Sequence, residues 1–450
     1  MSSEIKKGDK KLINAWAFYD WANSSYPLVI TTAIFPIFYE KVTSTILDGK
    51  VIDDTVELFG TKFINTELYS YVVALSFIIV SFSSPLLSGI ADYSGNKKRF
   101  LQFFCYLGAL SCASLYFFSK DNLALGMLSI LLASIGFWGS LVFYNAFLPE
   151  IAEPEDHDKV SAKGFARGYL GSSILLITNL ILIKTFNMPA KYSFLTVAIW
   201  WIGFAQISFA RLPNGIKKEH EQKNIIFKGF KELIKVWLQL KHIKPLKRYL
   251  ISFFIYSMGV QTVLLMAVLF AKKEIDGLED ANLIISVLLI QFLAIGGSYL
   301  FSFLSNKIGN IKAIGINLII WIVVCITTYK YVYTPVHFYV IAALVGLVMG
   351  GIQSLSRSTY SKLLPETEDT ASFFSFYDVC EKIGIVIGMI SFGYIEGITG
   401  GMRNSILSLI TFFIAGFIAL LKIPNSKKDK LNDYDSSFDV NNNYQDKSWV

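Results

Sequence analysis

Residues 16–26 read Trp16-Ala17-Phe18-Tyr19-Asp20-Trp21-Ala22-Asn23-Ser24-Ser25-Tyr26, inside an apolar run from Asn14 to Glu40 that is long enough to cross a bilayer. A charge held in hydrocarbon costs on the order of 2.5 kcal/mol or more, so a helix facing lipid would not keep Asp20. At helical spacing Trp16, Asp20 and Asn23 share one face. We therefore expect this face to look into a helix bundle or a wet cavity.

The composition is that of a membrane protein. Of the 450 residues, 53% are hydrophobic and only 17% are charged, against about a quarter charged in soluble domains. The net charge of +7 is explained by lysines that flank membrane spans, so we expect no nucleic-acid partner. The four cysteines and four histidines show no paired spacing, so we predict no disulfide framework, metal site or cofactor.

A span needs about 20 apolar residues, and on that rule we predict twelve helices. They cover roughly 13–40, 68–91, 100–118, 121–148, 165–186, 191–211, 248–271, 281–304, 312–330, 335–362, 371–396 and 402–422. Lysine and arginine cluster before the first span, in alternate connections and after the last span. This pattern predicts a multi-pass protein of the cell membrane with both termini in the cytoplasm.

The predicted domain organisation has five segments. They are a cytoplasmic N-terminus (1–11), a six-helix bundle (12–211), a basic linker (212–247), a second six-helix bundle (248–422) and a disordered cytoplasmic tail (423–450). In the linker Phe227, Phe230, Ile234 and Trp237 recur at helical spacing among lysines. This pattern favours an amphipathic helix on the cytoplasmic membrane surface, and a calmodulin-like partner site would give the same pattern.

Two stretches of the chain repeat. Ser88-Gly-Ile-Ala-Asp92-Tyr-Ser-Gly95-Asn96-Lys97-Lys98 follows the second predicted span, and Ser302-Phe-Leu-Ser-Asn306-Lys-Ile-Gly309-Asn310-Ile-Lys312 follows the eighth. Leu-Pro-Glu likewise occurs at 148–150 and at 364–366. Matching loops at matching places indicate an internal duplication of the kind found in transporters.

The first repeated loop, Asp92-x-x-Gly95-x-Lys97-Lys98, resembles the signature loop of the major facilitator superfamily. The resemblance implies two pseudo-symmetric six-helix bundles and a loop that acts as a latch between conformations. Asp92 is expected to meet a helix N-terminus or a base across the interface of the halves. Ser88 stands where that family usually has a glycine, which relaxes helix packing but leaves the charges in place.

Five further stretches resemble the vacuole-effluxer branch of that superfamily, which includes the vacuolar amino-acid effluxers of fungi. They are residues 16–26, Tyr144-Asn-Ala-Phe-Leu-Pro-Glu150, Gly164-Phe-Ala-Arg-Gly-Tyr-Leu-Gly171, Tyr256-Ser-Met-Gly-Val-Gln-Thr262 and Gly350-Gly-Ile-Gln-Ser-Leu-Ser-Arg-Ser358. The likeness runs from about residue 12 to 422. Met258 departs from it, because members often carry an acid there, and a coupling role of that acid would be absent or relocated in this chain.

Polar groups on the predicted spans are the candidates for a substrate cavity. They are Asp20, Asn23, Ser24, Tyr26, Tyr144, Asn145, Tyr256, Gln261, Gln353, Arg357 and Tyr377. Each uncharged one is about as well explained by a hydrogen bond between helices. Asp20 is a substrate acceptor, a proton site or part of an inner gate. Arg357 needs a carboxylate, which is supplied by the amino-terminal half, by the eleventh span or by the substrate.

The eleventh span carries Asp378, Glu381 and Lys382. Lys382 is one turn from Asp378, so an internal ion pair can neutralise one carboxylate. The other carboxylate then needs a partner or a proton. Carboxylates inside a membrane span favour a coupling site or a substrate contact. The position of all three residues towards the cytoplasmic end favours a gate that closes the inner mouth instead.

Together these features predict a secondary transporter that works by alternating access. The resemblance implies a small polar solute, with an amino acid as the best candidate, export as the direction and a monomer as the working unit. The carboxylates on the predicted spans favour protons as the coupling ion. A multidrug, amphiphile or sugar transporter on the same fold is the alternative. A non-transporting sensor or scaffold is a third reading. A membrane-embedded enzyme is least favoured, because the chain offers no nucleophile with its base and no nucleotide domain.

Overall fold

A computed structural model describes residues 6–47, 50–214, 225–275, 277–278 and 280–423. Its helices are α1 (Lys10–Asn23), α2 (Phe35–Thr43), α3 (Asn65–Ser94), α4 (Lys97–Ser114), α5 (Leu123–Ala146), α6 (Leu148–Ile151), α7 (His157–Thr185), α8 (Tyr192–Arg211), α9 (Ile225–His242), α10 (Lys244–Glu274), α11 (Asp280–Ile308), α12 (Asn310–Tyr331), α13 (Pro335–Leu363), α14 (Thr370–Thr399) and α15 (Met402–Leu421). Single 3-10 turns cover Leu115–Phe117, Lys120–Asn122 and Pro154–Asp156.

Within the described residues, ten helices are long and apolar enough to cross a membrane. They correspond to ten of the twelve predicted spans. The other two predicted spans correspond to α14 and to the first helix. The first helix is interrupted between α1 and α2, because Tyr26–Ile34 is wound as a wider π-helix with Pro27 near its start. π-Helical segments are rare in proteins, and those that occur are often found at functional sites.

Some predicted boundaries are wrong, and the errors share one cause. The fifth span begins at His157 rather than near 165, and the seventh begins at Lys244 rather than 248. Polar residues open both helices, and a rule based on apolar length cannot register them although their backbone is helical. The predicted tail lies outside the described residues except for its first position, Ile423, and the predicted N-terminal segment is described only from residue 6 onwards.

The connection before α3 contains strands that the all-helical prediction missed. β1 (Thr45–Leu47) pairs antiparallel with β2 (Lys50–Asp53), and β3 (Thr55–Leu58) pairs with β4 (Thr61–Ile64) from Thr55↔Ile64 to Leu58↔Thr61. The second turn is formed by Phe59 and Gly60, which both have positive φ, as primed hairpin turns require. We call the end of the bundle with these strands the hairpin side and the opposite end, where α9 packs on the last turns of α3, the α9 side.

Helix packing follows one pattern in each half of the chain. α1 packs on α7 and α8, while α10 packs on α14 and α15. α5 packs on α3 and α4, while α13 packs on α11 and α12. Contacts that join the halves run between α3 and α14 and between α7 and α11, again at corresponding places. The pattern is what an internal duplication produces, and it leaves the helices α1, α5, α10 and α13 around a shared centre.

Candidate functional site

A cavity of about 300 Å³ lies at this centre, between the halves. Its wall contains ten of the predicted polar residues: Asp20, Asn23, Ser24, Asn145, Tyr256, Gln261, Gln353, Arg357, Tyr377 and Glu381. Along the first helix the wall runs from Asp20 to Thr32, so the cavity extends from mid-bundle towards the hairpin side. The volume is at the lower end of the range typical of small-molecule sites.

An ion pair between Asp20 and Arg357 lies where the cavity ends towards the α9 side. Two guanidinium nitrogens of Arg357 lie 3.2 Å from Oδ2 of Asp20. The hydroxyl of Tyr144 donates to the same oxygen at 2.7 Å. Asp20 and Arg357 are only 5% and 3% exposed, so the pair is nearly dry. A buried pair of this kind is stable only when its remaining hydrogen-bonding groups are also satisfied.

Arg357 meets that condition through residues of the first half. Its Nε donates to Ser161 Oγ at 3.0 Å, its Nη2 to the Ser161 carbonyl at 2.9 Å and its Nη1 to Asn145 Oδ1 at 3.3 Å. The guanidinium also lies over the ring of Phe165 at 4.1 Å, a cation–π contact. A lysine could not form this set of bonds, because it lacks the planar fork. The expected carboxylate partner is thus Asp20.

The cluster on α14 forms a second charged region. Nζ of Lys382 donates to Asp378 Oδ1 at 2.8 Å, which is the predicted ion pair, and to Glu381 Oε2 at 3.0 Å. It also lies 3.8 Å from the ring centre of Trp138 in the other half. One lysine balances one of two carboxylates, so a negative charge remains. Glu381 is the member on the cavity wall, where Gln261 donates to it at 2.7 Å.

Much of the remaining polar wall is committed to internal hydrogen bonds. Tyr256 bonds to Ser356 Oγ at 2.8 Å, and Tyr169 donates to Gln353. Nδ2 of Asn23, by contrast, has no hydrogen-bond partner among the described residues although Asn23 is only 1% exposed. A buried amide without a partner costs free energy, so this group is suited to receive a ligand acceptor.

Two of the predicted cavity residues, Tyr26 and Tyr144, are absent from the wall that the described residues form. Tyr26 packs between the rings of Phe137 and Trp201, with centroids at 5.2 and 6.0 Å. Tyr144 stacks on Trp16 at 4.5 Å and contacts the wall residues Asp20, through its hydroxyl, and Arg357, whose guanidinium lies 5.4 Å from its ring centre. Both were predicted from the polarity of a stretch, and polarity does not tell which side of a helix faces a neighbour.

The α9 side is closed by the predicted latch loop. Asp92 accepts from the backbone N–H of Ser372 at 2.7 Å and of Ala371 at 3.3 Å, so it caps the start of α14 in the other half. Lys97 binds Glu150 and Thr370, and Lys98 donates to the carbonyl of Leu212. Gly95 ends α3 with φ +65°, a conformation that side chains disfavour.

A second set of contacts that closes the α9 side lies around Asp158, and it was not predicted from the sequence. Asp158 of α7 is fully buried and accepts from Ser305, Asn310 and Lys362 of the other half at 2.7, 2.7 and 2.6 Å. The second repeat has Asn306 where the first has Asp92. The carboxylate that binds the second repeat is instead Asp158, which lies on α7. The absence of an acid at position 306 was the sequence signal that could have predicted this closure, because a loop of this type that lacks its own carboxylate needs one from another helix.

Close approach of helices occurs where glycines lie at four-residue spacing. A Cβ at Gly164 would lie 2.4 Å from Oδ2 of Asp20, and one at Gly168 would lie 2.4 Å from Oγ of Ser24. Gly346 and Gly350 approach the α11 backbone in the same way. Gly393 and Gly397, by contrast, face open space. The first pair therefore sets how near α7 comes to the ion pair.

Chemically, the cavity offers a paired acid and base, a further acid and free amide hydrogens. Among the described residues, no group of three or more His, Cys, Asp or Glu side chains is placed to hold a metal ion. The site is suited to bind and release a polar solute.

Solved structures with the same architecture are transporters of the major facilitator superfamily. The transporter FucP in the outward conformation matches with a TM-score of 0.67 at 13% identity, covering 93% of this chain and 99% of that one. The human organic anion transporter MFSD10 matches with a TM-score of 0.66 at 10% identity, covering 92% and 100%. The predicted fold, an all-α membrane protein with the major facilitator architecture, is confirmed.

Sequence comparison defines the family. A family model described as "Vacuole effluxer Atg22 like" matches residues 8–432. The uncharacterized MFS-type transporter YxiO of Bacillus subtilis is 31% identical over 422 residues, covering 91% of this chain and 94% of that one. Autophagy-related protein 22 of Kluyveromyces lactis is 25% identical over 464 residues, covering 92% and 93%. The chain belongs to the vacuole effluxer Atg22-like family and is a multi-pass membrane transporter of a small molecule rather than an enzyme.

Proposed function

We propose that the protein is a secondary active transporter that exports an amino acid, or a closely similar zwitterion, by alternating access and in exchange for protons. The observation that carries this proposal is the Asp20–Arg357 ion pair. It lies on the cavity wall and joins the two halves, so ligand binding and opening of the α9 side act on the same bond.

The pair favours a zwitterionic solute for an energetic reason. Separating the halves breaks the pair, and an isolated buried charge costs about 3–5 kcal/mol. A solute with both an ammonium group and a carboxylate replaces both partners at once: the ammonium group binds Asp20, and the carboxylate binds Arg357. Asn23, whose amide hydrogens lack a partner, adds a donor to the carboxylate or a neighbouring oxygen.

Protons are the proposed coupling ion, with Glu381 as the site. Lys382 compensates Asp378, whereas Glu381 lies on the cavity wall and can be reached by a proton. Protonation would remove the excess negative charge of the cluster and weaken the hydrogen bond that Gln261 donates to Glu381. In this proposal Asp378 and Lys382 hold Glu381 in place. If the cluster is a gate instead, all three residues contribute to closing the cavity on one side.

The remaining features of the proposal concern orientation and assembly. We propose a cell-membrane location with both termini and α9 on the cytoplasmic side, from the lysine distribution. We also propose the two six-helix domains of 12–211 and 248–422 and a monomeric working unit. Export is proposed because the family is described as effluxers. The cavity as it stands then faces away from the cytoplasm.

Transport assays in proteoliposomes test the proposal. A panel of labelled amino acids is loaded and its release is followed with and without an imposed pH gradient, for the native protein and for Asp20→Asn. A matched control is Asp53→Asn, which removes an exposed carboxylate on β2. The proposal predicts gradient-dependent release of one amino-acid class, lost in Asp20→Asn and kept in Asp53→Asn. Movement of sugars or amphiphiles instead would assign another substrate class.

A further inference from the structure

The helix α9 has two faces of different character. Its inner face carries Gly229, Val236 and Leu240, which are buried against the bundle. Its outer face carries large apolar side chains that remain exposed by 37–59%, together with two exposed lysines: Phe227, Phe230, Ile234, Trp237, Lys231 and Lys241. An inner face explains docking to the protein, but the outer apolar stripe needs a different partner.

On its inner side α9 contacts both halves. Its backbone touches α3 so closely that a Cβ at Gly229 would lie 2.9 Å from the backbone nitrogen of Ile90. Lys235 forms ion pairs with Glu232 at 2.5 Å and with Asp369, next to the first residue of α14, at 3.1 Å. Trp237, at the edge of the outer face and 44% exposed, also packs one side of its ring on Phe376 of α14, with centroids at 5.4 Å. α9 thus connects the two helices that the Asp92 cap also joins.

The helix α9 lies near the end of α3, which is long and apolar enough to span a membrane. It crosses α3 at Gly89, five residues before the helix ends at Ser94, which is about 8 Å along the helix axis. Interfacial helices bury their apolar face by about 5–10 Å. The lysines of the outer face lie over aromatic rings, Lys231 over Phe227 at 4.8 Å and Lys241 over Trp237 at 5.0 Å. Apolar rings that point outwards with ammonium groups beside them are suited to lipid tails and acidic headgroups respectively.

We propose that the outer face of α9 binds anionic lipid headgroups at the bilayer surface, and that α9 so held is a strap across the closed α9 side of the transporter. Anionic lipid therefore favours the conformation in which Asp92 caps α14. Basic residues near an anionic leaflet gain free energy from its surface potential, which neutral lipid does not offer. The inference is independent of the solute that the cavity carries.

Hydrogen exchange of the full-length protein in nanodiscs tests this without any transport assay. The α9 peptide 225–242 is compared in neutral phosphatidylcholine and in the same lipid with phosphatidylglycerol added. With two lysines contributing, we expect exchange about 30-fold slower in the anionic bilayer, which corresponds to about 2 kcal/mol at 1.4 kcal/mol per tenfold.

Two variants separate lipid binding from docking. Lys231→Gln/Lys241→Gln is expected to abolish the difference between the bilayers and to leave exchange in neutral lipid unchanged. Lys235→Gln, the matched control, is expected to speed exchange in both bilayers and to keep the difference. Equal exchange of the native protein in both bilayers would overturn the proposal. Protection that appears only when Ca²⁺-loaded calmodulin is added would also overturn it and would assign the face to an acidic protein partner.

Discussion

Asp20 and Arg357 lie 337 positions apart in the chain, yet two guanidinium nitrogens of Arg357 approach one carboxylate oxygen of Asp20 to 3.2 Å. One residue comes from the first helix and the other from α13. The bond closes the cavity on one side and joins the halves of the transporter. Because the same bond lines the cavity and joins the halves, substitutions at or near it are expected to affect both stability and transport.

The first prediction concerns the charges of this pair. Asp20→Asn leaves Arg357 without its counter-charge, so we expect the free energy of unfolding to fall by about 3 kcal/mol and transport to be lost. Asp20→Asn/Arg357→Gln removes both charges and should regain most of the stability without regaining transport. Melting temperatures in detergent and transport in proteoliposomes measure the two effects. Full transport by either variant would exclude the pair from the mechanism.

The second prediction concerns the space around the pair. Gly164→Ala places a Cβ 2.4 Å from Asp20 Oδ2 and 2.8 Å from Arg357 Nη2, so one of these groups must shift. We expect transport to fall by at least tenfold with the protein still inserted. Gly203→Ala on α8 is the matched control, because its Cβ would meet nothing within 4 Å. Equal activity of the two variants would show that the close approach of α7 is unimportant.

A third prediction concerns the cluster on α14. Lys382→Ala leaves Asp378 and Glu381 uncompensated in a buried region, so expression and transport should both fall. Asp378→Lys/Lys382→Asp restores the pair in reverse and should recover part of the loss. Lys273→Ala, which removes an exposed ion pair with Glu396, provides the comparison and should have little effect. If the reversed pair behaves no better than Lys382→Ala, Lys382 acts on another group.

The fourth prediction concerns the two closures on the α9 side. Asp92→Asn weakens the cap on α14, and Asp158→Asn removes the negative charge that pairs with Lys362, so each should favour separation of the halves. Spin labels at Arg99→Cys and Glu366→Cys, both exposed, report this separation. We expect a longer distance population in each variant and the largest in the double variant. Unchanged distances would show that these contacts do not hold the side closed.

The sequence was sufficient to predict the fold class, the spacing of most helices and the position of Asp20 inside the bundle. Apolar length and a charge in an apolar run are both local signals. The Lys382–Asp378 pair was equally local, since the two residues lie one turn apart. The partner of Arg357 was narrowed to a carboxylate but not identified, because residues 337 positions apart meet only through helix packing. Asp158 was missed for the same reason, and Tyr26 was misplaced because polarity does not fix the side of a helix.

The most direct test of the central claim follows one labelled zwitterionic amino acid in proteoliposomes under an imposed pH gradient, beside the same compound with its carboxylate amidated. The native protein should move the zwitterion in a gradient-dependent way and reject the amide, and Asp20→Asn should move neither. Equal movement of the zwitterion and its amide, or unchanged movement by Asp20→Asn, would contradict the claim that the solute replaces both partners of the Asp20–Arg357 pair.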